Sequence, residues 1–148
     1  MFRNVGLALI VFSTLPANDA WKPAHSSEPM SMVGRGVIST AAPEFALTVM
    51  PDGSELYFYR ASADRRTFAI MVSRRTGTGW GEPEVVTFSG TWRDADTFIT
   101  PDGKRLYFSS NRPRANGRDS SFNTWYVERQ GSGWSSPIDP GSPLNSDS

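Results

Sequence analysis

Asp94 and Asp96 stand two positions apart at the start of an apolar run. In a regular strand such residues share a face. Paired carboxylates can hold a cation or hydrolyse a glycosidic bond, given further groups from elsewhere. Fifty residues earlier, the matching position before Phe45 offers only Glu44. A second polar concentration runs from Asn111 to Phe122 and carries Arg112, Arg114, Arg118 and Asp119. It is the candidate partner-binding loop, and a merely solvated loop is the competing reading. Asp52 and Asp102 belong to turns. The single histidine, His25, precedes the patterned region and cannot form a zinc site by itself. There is no Gly-x-Ser-x-Gly, so a serine triad has no support. Gly77-Thr78-Gly79-Trp80-Gly81 lacks the spacing of a dinucleotide fingerprint and reads as a hairpin turn. With no cysteine, disulfides, thiolate catalysis and cysteine metal sites are excluded. No catalytic set and no cofactor are assigned.

The composition points to strands rather than helices. Nine Phe, five Trp and four Tyr occur with 13 Gly and 11 Pro in 148 residues. One domain is the prior for this length. Fifteen basic and 15 acidic residues cancel. Without a basic excess there is no phosphate footprint, so nucleic acid is not an expected partner. After residue 40 no run of ten residues keeps a helical period without Gly or Pro.

The chain repeats itself. Val49-Met50-Pro51-Asp52-Gly53-Ser54-Glu55-Leu56-Tyr57-Phe58 returns as Ile99-Thr100-Pro101-Asp102-Gly103-Lys104-Arg105-Leu106-Tyr107-Phe108. Each copy predicts a strand, a Pro-Asp-Gly turn and a returning strand. A third strand follows, at Thr67 to Val72 and at Asn123 to Glu128. A glycine turn then leads to Trp80 or Trp134, which opens a proline-containing fourth strand. Proline suits an edge strand. A four-stranded sheet of this size cannot cover both its apolar faces, but stacked copies can.

The motifs at Thr100 to Arg112 and Trp125 to Pro137, and more loosely at Met50 to Arg60 and Ile70 to Pro83, resemble the WD40-like propeller repeats of the TolB type. The resemblance spans roughly residues 43 to 148. It implies an all-β fold of two four-stranded antiparallel blades, about 43–88 and 95–140, forming a partial propeller within residues 37–148. It also implies an exported bacterial protein and a binding or scaffold role in the cell envelope. An alternative is the propeller of a peptidase or glycoside-acting hydrolase whose catalytic part lies outside this chain. In similar repeats an acidic residue before the first strand bonds backbone turns, which gives Asp94 a structural reading. The first unit departs from the pattern at Met50, at Glu55 and at Ala61-Ser62-Ala63-Asp64.

Residues 1–20 have the layout of a signal peptide: Arg3, then the apolar run Val5 to Phe12, then small and polar residues to Ala20. The run is shorter than the ~20 residues of a membrane span. Periplasmic or secreted location is therefore expected. A buried first strand is the alternative. Residues 21–36 read as a linker. Gly36-Val37-Ile38-Ser39 is a candidate extra strand covering a sheet edge. The repeat register places Ser148 opposite Asp94, where a third unit would begin. A protein partner of the envelope, or further copies of the chain, would then cover open faces.

Overall fold

The computed structural model describes residues 33–115 and 121–145. The signal-peptide reading and the linker up to residue 32 fall outside them. The described residues contain no helix and form two antiparallel sheets. The first holds β1 (Glu44–Val49), β2 (Glu55–Ala61), β3 (Phe68–Thr76), β4 (Gly79–Trp80) and β5 (Glu84–Val85). The second holds β6 (Asp94–Ile99), β7 (Arg105–Ser110), β8 (Asn123–Gln130) and β9 (Gly133–Trp134). Both β4 and β5 pair with β3, so they are two halves of one fourth-strand position, interrupted ahead of Glu84 by Pro83. The second sheet repeats this. β9 pairs with β8, and after Pro137 an isolated Tyr126–Ile138 bridge matches the Val72–Glu84 pairing. Each sheet therefore has four strand positions, which is compatible with a partial propeller of two blades.

The Pro-Asp-Gly segments make the expected turns. Gly53 and Gly103 sit at φ 72° and 69°, a region that disfavours side chains. Their amides donate to Met50 and Thr100 carbonyls, both at 2.8 Å. The Asp52 and Asp102 carboxylates accept the amides of Ser54 and Lys104 at 2.9 and 3.0 Å. β3 and β8 run past the expected strand ends, to Thr76 and Gln130. Their last residues pair with the segment that carries Trp80 or Trp134.

Both first strands carry a bulge at the same place. Register shifts between Phe45 and Thr48 in β1, and between Ala95 and Phe98 in β6. The bulged residues Ala46 and Asp96 have φ of 50° and 54°. Here the two strands also touch: the Thr97 hydroxyl donates to the Ala46 carbonyl at 2.7 Å.

The sheets stack through unlike faces. Tyr57, Ile70, Val72 and Val86 of the first meet Ile99, Leu106, Phe108, Trp125 and Val127 of the second in one buried core, with Met50 beside them. Fully burying a side chain of this size is worth about 1.5–3 kcal/mol, so this junction outweighs any single polar contact. The first sheet's other face, Leu56, Phe58 and Met71, is capped by Ile38 with Val37. The segment around Ile38 is not the edge strand expected from the sequence. It is a tight loop closed by Ile38 N to Gly34 O at 2.7 Å and Gly36 N to Ser39 O at 3.0 Å. A loop presents one side chain end-on to the middle of a sheet face, which an edge strand cannot do.

This loop yields a graded prediction. Gly34 has φ 55°, and a Cβ there would lie 2.5 Å from Ile38 Cγ1. Gly36 has φ 80° with nothing within 4 Å of a Cβ. Gly36→Ala should cost about 1 kcal/mol from backbone strain alone, and Gly34→Ala clearly more, since Ile38 must also shift. Urea unfolding of both variants checks the order.

Candidate functional site

The bulge separates the two aspartates. Asp94 is fully buried, whereas Asp96, at positive φ, is exposed. The shared face expected from i, i+2 spacing does not form, because the extra residue breaks the alternation. Both Asp94 oxygens are already engaged. Oδ1 accepts from Arg112 Nη2 at 2.8 Å, and Oδ2 accepts from the Ser89 hydroxyl at 2.7 Å. Arg112 is only 7% exposed. It lies 4.9 Å from the Phe108 ring centroid and 5.4 Å from that of Trp125, and it also donates to the Phe88 carbonyl. Glu44 stands at the Asp94 position of the first sheet and pairs with Arg60 at 3.2 Å.

Arg114 is likewise buried, at 8% exposure, and its Nε donates to Asp139 at 2.7 Å. Asp139 also accepts from the Gly141 amide and from Asn145 Nδ2. Asn145 in turn bonds both backbone groups of Thr124. The expectation of an exposed loop is thus corrected at Arg112 and Arg114, whose guanidiniums point inward to carboxylates. Arg118 and Asp119 lie outside the described residues. Among the described residues no group of three or more His, Asp or Glu could hold a metal ion.

Removing one partner of a buried ion pair typically costs 3–5 kcal/mol, because the other charge is stranded. Asp94→Ala should therefore destabilise the fold by about that much. The double variant Asp94→Ala/Arg112→Met should recover a good part of it. Chemical denaturation of the two variants tests this.

A second polar cluster ties the sheets together. Tyr57 and Glu55 of β2 face Arg129 and Trp134 of the second sheet. Trp134 Nε1 donates to the Tyr57 oxygen at 2.9 Å, and the Tyr57 hydroxyl donates to Glu55 at 2.8 Å. Arg129 Nη1 donates to the same Glu55 oxygen at 2.7 Å. Arg74, the cross-strand neighbour of Glu55, approaches its other oxygen at 3.5 Å. Burial pushes the Tyr57 phenol up to about 12; the Trp134 bond opposes this and the Glu55 carboxylate adds to it. The folded state therefore holds this proton more tightly than the unfolded state. The associated stability is intact below pH ~10, the ordinary tyrosine value, and is lost as pH rises toward 12. Tyr57→Phe should flatten the stability curve across that window, measured by urea midpoints at stepped pH.

The repeat identifies an uncovered counterpart of this junction. Tyr107 occupies the Tyr57 position, and Tyr126 the Val72 position. Their rings pack at 5.5 Å on the outer face of the second sheet, where Phe98 is 57% exposed. The charges are exchanged: Glu55 opposite Arg74 becomes Arg105 opposite Glu128, joined at 3.0 Å. A cleft of about 520 Å³ opens beside them, lined by Asp102, Lys104, Arg105, Tyr107, Glu128 and Arg129. This aromatic face with a charged rim is the candidate functional site. The sequence reading expected open sheet faces but named no residues for them, although the fifty-residue correspondence of Tyr57 with Tyr107 was the signal that could have located this one.

No family model, curated protein or solved structure matches this chain. No helix of the described residues is long and apolar enough to cross a membrane.

Proposed function

We propose that this chain is a non-enzymatic binding or scaffold module of the bacterial cell envelope, built from WD40-like propeller repeats of the TolB type. Its outer aromatic face receives a further sheet of the same kind, carried by a protein partner. One observation carries the reading. The Tyr57 face is covered by a sheet bearing Leu106, Phe108, Arg129 and Trp134. The equivalent Tyr107 face has Phe98 largely exposed and a cleft at its rim. An aromatic stripe of this kind suits sheet-on-sheet packing. The apolar run near residue 10 and the repeat motifs support an exported location.

The test is site-specific photo-crosslinking in bacterial cells expressing the full chain. A photoreactive phenylalanine analogue replaces Tyr107, with a control at the exposed turn residue Arg65. The expected result is a discrete adduct from position 107 only, with a partner that carries Pro-Asp-Gly and Gly-x-Gly-Trp repeats. Phe98→Glu should lower its yield by about tenfold or more, the equivalent of one buried phenylalanine. Equal adducts from both positions, or an adduct with an unrelated protein, would overturn the proposal.

A further inference from the structure

A second cleft, of about 450 Å³, shares no lining residue with the first. Arg66, Phe68, Trp92, Arg93 and Asn111 line it, and no lining residue is acidic. Arg93 is its centre. The guanidinium carbon lies 4.4 Å from the Phe68 ring centroid and 5.4 Å from that of Phe122. Among the described residues no carboxylate pairs with Arg93, and its Nε is buried without a hydrogen-bond partner. Its neighbours differ in this respect. Arg112 and Arg114 both find carboxylates, and Arg60 pairs with Glu44. Only the Arg93 backbone is tied down, through Asn111 Oδ1 at 2.8 Å and the Asn111 amide. Trp92 and Phe122 are 42% and 46% exposed beside it. Arg66 adds a second positive charge, paired only loosely with Asp64 at 3.7 Å.

An arginine packed against two rings keeps its fork oriented and loses little freedom on binding. A carboxylate is the complementary group for such a fork. Exposed aromatic surface beside it suits the body of a ring-shaped ligand. From this arrangement we propose that the Arg93 cleft binds a small ligand with a carboxylate on a ring, the carboxylate on Arg93 and the ring against Trp92.

The test is a titration of the full, isotope-labelled chain followed by NMR at the Arg93 Nε–Hε and Trp92 indole signals. Benzoate probes an aromatic acid, glucuronate an acidic sugar, and benzyl alcohol a ring without charge. The expected result is saturable movement of both signals with at least one acid and none with the alcohol; the tighter acid identifies the ring type. Arg93→Gln should weaken binding by roughly tenfold or more, as loss of a charge-assisted pair predicts. Trp92→Ala, an exposed change that spares the fold, should also weaken it several-fold. Failure of both acids to saturate, equal binding of the alcohol, or undiminished affinity in Trp92→Ala would each overturn the proposal.

Discussion

The need to cover both faces of the first sheet governs the structure. In this chain β2 is apolar on alternate and on intervening positions: Leu56 and Phe58 point one way, Tyr57 and Tyr59 the other. A sheet patterned in this way has no solvent side. The fold answers with two different covers. The Tyr57 face takes the whole second sheet, and the Leu56 face takes the loop that carries Ile38. The second sheet uses its Leu106 and Phe108 face for the same junction, which leaves its tyrosine face turned outward.

Polar groups inside this packing fix position more than they add stability. Tyr57 brings a hydroxyl into the core, and that hydroxyl must be bonded. Trp134 and Glu55 satisfy it, and Glu55 then requires Arg129 and Arg74. Each bond contributes only about 1 kcal/mol net, but an orphaned member would cost more. The network therefore defines one relative setting of the sheets. Asp94 and Arg112 do the same within the second sheet, joining the start of β6 to the segment after β7.

The turns and strands were legible because their signals are local. Pro-Asp-Gly encodes its own geometry, and the spacing of the repeats carried the first assignment to the second. The bulge was not legible. Ala46 does not announce positive φ and Asp96 does so only weakly, and the contacts at Thr97 and Thr48 that accompany the bulges join strands of different repeats. That one residue decided whether Asp94 and Asp96 formed a site. The inward turn of Arg112 and Arg114 was equally hidden, because their partners are 18 and 25 positions away. Ile38 looked like part of an edge strand because its apolar neighbours fit one. Gly34 and Gly36 instead close the chain on itself.

The exchange of Glu55–Arg74 for Arg105–Glu128 has a consequence for order. Two repeats with identical rims would accept each other's neighbours, and sheets could stack in any sequence. Here the inner rim offers an anion where the outer rim offers a cation. Arg129 finds Glu55 at the first, whereas the matching position of the second is Arg105, so the complementary group there is an anion. The two tyrosine faces are thus not interchangeable: a surface matched to the charges of one rim is mismatched to those of the other.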